Sequence, residues 1–171
     1  MPSRARHVVY THRYDSPVGA LYLAVNRDGA VMRVGFTPPD GWPEELTAEE
    51  NKYACGELEH QLELYFRGRL QCFTVAVVLG GTSFQHSVWK RLAKIEYGST
   101  ITYGELARKI GRTGAARAVG NAVARNPIPI VIPCHRVVRA GSSIGQYALR
   151  SVPGEHGARI KRTLLELEGA L

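Results

Sequence analysis

The segment from Asn126 to Val138 constrains the fold of this chain most strongly. It reads NPIPIVIPCHRVV, with three prolines within seven residues, and each proline fixes φ and removes an amide donor. A helix and a central strand are therefore excluded, although Ile128, Ile130, Val131 and Ile132 are strongly apolar. The segment predicts a rigid, buried, irregular loop, whose unpaired backbone groups need side-chain partners. Asn126 carries both a donor and an acceptor and is well placed to supply them.

This loop leads directly to Cys134 and His135. The thiolate is the nucleophilic form of cysteine, and an adjacent histidine and the nearby Arg136 are groups that can lower a thiol pKa. Successive side chains of an extended segment point to opposite faces, so the two residues cooperate only if the chain turns or a water bridges them. From these residues alone, a buried structural cysteine beside a surface histidine remains an alternative.

The charge of the chain is divided unevenly between its halves. Residues 1–85 hold 8 Lys and Arg against 10 Asp and Glu, whereas residues 86–171 hold 14 against 5, within a total of +7. A basic second half favours a polyanionic partner such as nucleic acid. A solvated basic surface is the alternative interpretation.

Composition and cysteine usage narrow the class of protein. The chain is 44% hydrophobic and 22% charged, which is typical of globular proteins. No apolar run has the length of a membrane-spanning helix, and no secretory signal is evident at the start. The three cysteines, Cys55, Cys72 and Cys134, lack zinc-ligand spacing. We therefore expect a soluble, cytoplasmic protein without a metal site.

The first half predicts a small sheet and a helix. Alternating residues between His7 and Phe36, with turns at 16–19 and 26–29, predict a three-stranded antiparallel meander. Apolar residues at helical spacing from Leu58 to Phe66 predict a helix that Gly68 ends, and residues 73–79 suggest one more strand. The change of charge and pattern at Gly80 to Thr82 predicts two domains: an α/β domain over 1–80 and a mainly helical domain over 81–171.

Two short helices in the second half form a helix-turn-helix candidate. Thr102 and Glu105 have capping-box spacing before the first helix, and the second is predicted from about Ala115 to Ala124. One stripe of the second helix is apolar: Ala118, Val119, Ala122 and Val123. The other stripe suits close approach to DNA: Arg117, Gly120, Asn121 and Ala124. Tight packing against another helix, with Arg117 at the rim, is the alternative.

Several motifs together resemble the O6-alkylguanine-DNA alkyltransferase family. The central motifs are Pro133-Cys134-His135-Arg136-Val137, Asn126-Pro127 and Ala116-Arg117-Ala118-Val119-Gly120. Further matching segments, at 16–19, 84–89, 103–107 and 164–169, extend the resemblance over nearly the whole chain. It implies an α+β fold: a small antiparallel sheet with a helix, ribonuclease H-like, followed by a mainly helical domain with a winged helix-turn-helix.

The resemblance also implies roles for individual residues. Cys134 matches the alkyl acceptor, His135 the base that activates it through a water, and Glu168 the carboxylate that orients the histidine. Asn126 matches the residue that braces the site, and Tyr103 the one that crowds the target's 3′ phosphate and helps to protonate guanine. Arg117 matches the arginine that enters the base stack. The remaining DNA-binding candidates are Gly120, Asn121, Ala124 and Arg125, and the pocket candidates are Tyr147, Ala148, Val137 and Ile144.

The implied function is DNA repair. The chain would flip O6-alkylguanine, and O4-alkylthymine, out of double-stranded DNA and transfer the alkyl group irreversibly to Cys134, once per molecule. We expect a monomer that needs no cofactor and does not bind membranes. The alternatives are a lesion sensor without transfer activity, a helix-turn-helix regulator and a cysteine hydrolase that uses Cys134, His135 and Glu168.

One segment departs from the family pattern. After Tyr147, residues 148–157 form a longer and less glycine-rich connection than is usual before the last helix, and Ala148 stands where some members have serine. The size of the accepted alkyl group therefore stays open. A longer loop over 148–160 that contacts DNA through Arg150 and Arg159 is a hypothesis.

Overall fold

The computed structural model describes residues 7–141, 143–147 and 149–171. The chain divides into two compact units, Met1–Val78 and Leu79–Leu171, and each is described by itself. In the described part of the chain, every helix is too short or too polar to cross a membrane.

The first unit is built on a four-stranded sheet with the order β3-β2-β1-β4. The predicted meander is present, since β1 pairs antiparallel with β2 and β2 pairs antiparallel with β3. In the second turn, the Asn26 side chain accepts hydrogen bonds from the amides of Asp28 and Ala30 at 3.0 and 2.9 Å. The strands are β1 (His7–Ser16), β2 (Gly19–Val25), β3 (Val31–Gly35) and β4 (Leu46–Glu50).

The sheet differs from the sequence prediction at both edges. Strand β4 pairs parallel with β1 and was missed, because its sequence LTAEE is polar and lies at a partly exposed edge without apolar alternation. The prediction of a strand over residues 73–79 is wrong. Only Val77 forms an isolated bridge there, opposite Val31, and this residue is 40% exposed.

The helix of the first unit, α1 (Gly56–Phe66), buries Leu58, Leu62 and Tyr65. It ends before Gly68, whose φ of 69° suits glycine at a helix end. Cys55 precedes the helix and is fully buried. Burial, followed by the charges of Glu50 and Glu59, raises the pKa of its thiol to about 12, so this cysteine is structural and unreactive.

The second unit is mainly helical, as predicted. The capping box at the start of α3 is present: the Thr102 amide donates to Glu105 at 2.7 Å, and the Glu105 amide donates to the Thr102 hydroxyl at 3.2 Å. The helices are α2 (Ser83–Leu92), α3 (Tyr103–Lys109), α4 (Ala116–Ala124) and α5 (Gly154–Leu167), with a 3-10 turn at Cys134–Arg136.

Helix α4 packs with a narrower apolar face than the sequence suggests. Val119, Ala122 and Val123 are buried, and the indole nitrogen of Trp89 in α2 donates to the Ala122 carbonyl at 2.9 Å. Ala118 is exposed, so its assignment to the buried stripe is wrong. At 100° per residue, position 118 lies at the border of a face centred on 119, 122 and 123, and its small side chain loses little by exposure.

A short parallel pairing joins the two segments that carry the predicted chemistry. Strand β5 (Ile101–Thr102) pairs with β6 (Val137–Val138), with Thr102 opposite Val138. Strand β5 leads into α3, and β6 follows the 3-10 turn. The first residue of α3 is therefore held beside the segment that contains Cys134.

Candidate active site

Asn126 organises the loop before Cys134 in the way the sequence predicts. Its side-chain nitrogen donates to the Ile132 carbonyl at 2.8 Å, and its oxygen accepts from the Ile128 amide at 3.0 Å. Ile130 has a φ of 74°, which is unfavourable for a β-branched residue, and it is only 1% exposed. Burial and the hydrogen bonds of Asn126 hold the loop in this strained conformation.

The chain turns at Cys134, so the extended geometry that would separate Cys134 from His135 does not apply. Residues 134–136 form a 3-10 turn, in which the Arg136 amide donates to the Pro133 carbonyl at 3.1 Å. Cys134, His135 and Arg136 are all buried. Both polar side chains that follow the cysteine therefore need partners inside the protein.

Glu168 supplies these partners from the C-terminal end of α5. One carboxylate oxygen lies 2.7 Å from His135 Nε2, and Arg136 donates to the two oxygens at 2.8 and 2.9 Å. The remaining guanidinium nitrogen donates to the Ile95 carbonyl at 2.5 Å. The side chains of His135 and Glu168 are fully buried, and that of Arg136 is 7% exposed. Glu168 thus both orients the histidine and neutralises a buried arginine.

His135 is a neutral base in this environment. Burial lowers its pKa most, with further lowering by the charges of Arg136 and Lys161, against the raising effect of Glu168. The contact with Glu168 places the proton on Nε2. The other nitrogen, Nδ1, is buried and has no hydrogen-bond partner in the described part of the chain. Its lone pair is thus available to accept a proton.

The Cys134 thiol does not have the lowered pKa that its sequence neighbours suggest. Burial raises its pKa, and hydrogen bonds with Asn126 and Tyr147 and the charge of Lys161 only oppose this effect. Its sulfur lies 3.8 Å from the Tyr147 hydroxyl. Arg136 is not among the groups that lower the Cys134 pKa, because its guanidinium pairs with Glu168. In the resting protein, the thiol is protonated.

Lys161 is the cation near the thiol, and the sequence interpretation missed it. It is 1% exposed, and its ammonium donates to the carbonyls of Val137 at 2.7 Å and Gln146 at 3.3 Å. Burial lowers its pKa from 10.5 to about 8, against the raising effect of Cys134. The sequence signal that could have revealed its burial is its position on the same stripe of α5 as the apolar residues Ile160 and Leu164.

Tyr103, the first residue of α3, lies near both Cys134 and the DNA-binding candidates of α4. Burial and the nearby Cys134 raise its pKa, and the charge of Arg139 lowers it. A Cβ atom on Gly120 of α4 would lie only 3.8 Å from the Tyr103 ring. The phenol is therefore close to the thiol, to Arg139 and to the helix predicted to bind DNA.

The other DNA-binding candidates lie on the outer side of α4 or just beyond its end. Arg117, Asn121 and Arg125 are exposed, while Gly120 and Ala124 are partly buried. This side of the helix presents small residues flanked by arginines. It is the face that the sequence assigned to DNA.

The four pocket candidates have different surroundings. Tyr147 is buried beside the Cys134 sulfur, and Val137 is fully buried and accepts a hydrogen bond from Lys161. Ile144 is partly buried and lines a groove with Arg139. Ala148 lies outside the described residues.

The connection before the last helix is shorter than the sequence suggests. Helix α5 begins at Gly154, so residues 154–160 of the predicted long loop are helical. A Cβ atom on Gly157 would overlap the Val152 carbonyl oxygen at 1.8 Å. A glycine is needed at this point for the connection to cross the helix so closely.

The described residues contain no cluster of three or more His, Cys, Asp and Glu side chains that could hold a metal ion. The described site brings together a thiol, a neutral imidazole, a carboxylate, a phenol and two buried cations.

Comparison with known proteins places this chain in a family. Residues 83–170 match the family described as "6-O-methylguanine DNA methyltransferase, DNA binding domain". A relative from Methanosarcina acetivorans, named methylated-DNA–protein-cysteine methyltransferase, is 41% identical over 95% of this chain and 99% of its own length. The chain belongs to the methylated-DNA–protein-cysteine methyltransferase family.

A second relative in sequence and a solved structure of this methyltransferase family are also similar to this chain. A protein of the same name from Mycobacterium leprae is 39% identical over 94% of this chain and 93% of its own length. The crystal structure of Mycobacterium tuberculosis OGT in complex with DNA has a TM-score of 0.79 and 38% identity, covering 95% of this chain and 93% of that one. The predicted family and the predicted α+β class are both confirmed.

Proposed function

We propose that this protein repairs DNA by moving an alkyl group from O6 of guanine to the sulfur of Cys134, once per molecule. The observation that carries the proposal is the arrangement of the buried Cys134, the neutral His135 and Glu168, which holds Nε2 at 2.7 Å. It supports a nucleophile, a base and an orienting group in one site. Membership of a family whose relatives bear the name methylated-DNA–protein-cysteine methyltransferase supports alkylated DNA as the substrate.

In the proposed reaction, Cys134 Sγ attacks the carbon bonded to O6 of guanine. The sulfur–carbon bond forms while the carbon–oxygen bond breaks, and the bond's electron pair leaves with guanine. The thiol proton passes to His135 Nδ1, through a bridging water as the family resemblance implies, and one proton is returned to guanine. Atoms and charge balance: a thiol and O6-alkylguanine give a thioether and guanine.

Tyr103 is the proposed donor to the leaving guanine. Burial and the nearby Cys134 raise the pKa of its hydroxyl, which keeps the phenol protonated. A protonated phenol can donate a hydrogen bond to the developing negative charge on guanine. Tyr147 beside the sulfur and Val137 would then border the alkyl group.

Access to the thiol requires that the target nucleotide leave the duplex, because Cys134 is only 1% exposed. Flipping costs a few kcal/mol of stacking and pairing, and less at a weakened pair. We assign Arg117, exposed on α4, to the gap in the base stack. The small residues Gly120 and Ala124 allow the helix to approach the minor groove closely. Asn121 and Arg125 would contact the DNA beside it.

Transfer should consume the protein, because a thioether has no good leaving group. The mass of the intact protein after incubation with duplex DNA that contains O6-methylguanine tests this. A gain of about 14 Da, equal in amount to the lesion consumed, is expected for alkylation of a nucleophilic thiol. Cys134→Ala should show no gain, whereas Cys72→Ala, which removes an exposed thiol, should react like the wild type.

Two results would contradict the proposal. A mass gain that persists in Cys134→Ala would place the acceptor elsewhere. Tight binding to the lesion without any mass gain would instead identify a lesion sensor.

A further inference from the structure

A basic groove lies between the segment that follows the active-site turn and helix α5. It has a volume of about 570 Å³, and it is lined by three arginines, Arg139, Arg159 and Arg162, with Glu155 as the carboxylate among its lining residues. These arginines do not belong to α4, which carries the DNA contacts already proposed. The groove therefore needs a separate explanation.

The groove face of α5 is distinct from its buried face. Ile160, Lys161 and Leu164 point into the core, whereas Glu155, Arg159 and Arg162 recur at spacings of four and three residues and are exposed. Spacings of three and four place side chains on one side of a helix. The two arginines thus project together into the groove, although like charges on one helix face repel each other.

Arg139 joins the groove to the active site. Its side chain lies across Gly145, since a Cβ atom there would be 3.2 Å from Arg139 Cγ. The charge of Arg139 also lowers the pKa of Tyr103 and contributes to lowering that of Lys161. One end of the groove is therefore close to the phenol and the thiol site.

Among the residues that the structure describes, these arginines have little compensating negative charge. Arg162 and Glu166 are 3.9 Å apart, with both side chains more than half exposed, which makes this a weak ion pair. Guanidinium groups bind phosphate oxygens through paired hydrogen bonds. Three such groups along an open groove match a chain of phosphates better than a single small anion.

We propose that this groove binds backbone phosphates of the DNA that carries the lesion, as a second contact surface beside α4. Arg139 would hold the phosphate nearest the flipped nucleotide, and Arg159 and Arg162 would hold those farther along. This proposal rests on the proposed repair function, because it takes duplex DNA as the partner. It predicts that binding at the groove is independent of base sequence.

The salt dependence of duplex binding tests the proposal. Each phosphate contact contributes about 0.9 to the slope of log affinity against log salt. R159Q/R162Q should therefore weaken binding and reduce the slope by about 1.8, so that its affinity deficit shrinks roughly tenfold between 50 and 200 mM salt. The matched control R27Q/R69Q removes two exposed arginines from the first unit and should keep the wild-type slope.

Two further measurements test the charge of the groove and the integrity of the thiol site. Glu155→Gln should tighten duplex binding, because it removes the carboxylate of the groove. Alkylation by the free base O6-methylguanine, which has no phosphate, reports whether the thiol site of R159Q/R162Q is intact. A slope equal to that of R27Q/R69Q overturns the proposal, and so does an equal loss of transfer from free base and duplex. A wild-type protein that binds duplex with the steep slope but is never alkylated at Cys134 would refute the repair function and leave the groove as proposed.

Discussion

Arg136→Met should strongly destabilise the second unit. The substitution leaves the fully buried Glu168 carboxylate without its bidentate partner and the Ile95 carbonyl without its donor. Removing one partner of a buried ion pair costs about 3–5 kcal/mol, and an unsatisfied buried carbonyl costs about 1–3 kcal/mol. Because such costs overlap, we expect a loss of about 4 kcal/mol or more, which is a large part of the usual stability of about 5–15 kcal/mol.

Urea unfolding followed by tryptophan fluorescence measures this loss. Trp89 is 3% exposed and bonded to α4, so it reports the second unit when Trp42 of the first unit is replaced by phenylalanine. Arg162→Met is the matched control, since its exposed pair with Glu166 at 3.9 Å should contribute less than about 1 kcal/mol. A loss below about 1 kcal/mol in Arg136→Met would refute the assigned pairing, because so small a cost is typical of an exposed ion pair.

A double substitution separates the ion pair from the volume of the side chain. Arg136→Met with Glu168→Gln removes both charges and leaves no unpaired ion in the core. The double variant should be less destabilised than the sum of the single variants by about 1–3 kcal/mol, as is usual for residues in contact. Additive losses would show that the two side chains do not interact.

Three further predictions concern the buried groups around the site. Lys161→Met removes a charge that lowers the Cys134 pKa, so reaction of the thiol with iodoacetamide should require higher pH; an unchanged profile contradicts this. The folded pKa of Lys161 is about 8, below the unfolded value of about 10.4. Between these pH values the unfolded state binds more protons than the folded state. The free energy of unfolding of the wild type should therefore rise with pH, relative to that of Lys161→Met, by roughly 3 kcal/mol; a difference between the two proteins that stays constant from about pH 8 to 10.5 refutes this. Gly157→Ala should destabilise the protein through overlap with Val152, whereas Gly104→Ala, which meets nothing closer than 4.0 Å, should be neutral or stabilising by about 0.4–1 kcal/mol. Equal unfolding midpoints for the two glycine variants would contradict the overlap.

Features that depend on neighbours in sequence were predictable. The capping box of Thr102 and Glu105 requires only that two residues three positions apart satisfy each other's amides. The role of Asn126 follows from the prolines after it, which leave nearby backbone groups unpaired and need a partner within a few residues. Both predictions use contacts that the local chain geometry itself determines.

Features that depend on distant residues were not predictable from local pattern. Strand β4 is polar, and only its pairing with β1 makes it a strand. Arg136 looked like a cation for the adjacent thiol, but Glu168, 32 residues away, captures it. Lys161 takes the place near Cys134 because α5 packs along the active-site turn. Burial of a charge depends on such tertiary contacts, which single-sequence periodicity does not contain.

The raised pKa of Cys134 is consistent with a thiol that is used only once. A free thiolate would react with any electrophile that reached it, and each such reaction would remove one molecule from repair. Burial keeps the sulfur protonated, and in the proposed reaction the neutral His135 would accept the proton only when an alkyl carbon stands in line for attack. The charge of Lys161, which lowers the Cys134 pKa, would then stabilise the thiolate as it forms. Reactivity in this site thus comes from positioned groups that act together with the substrate, and discrimination against other electrophiles follows from the same arrangement.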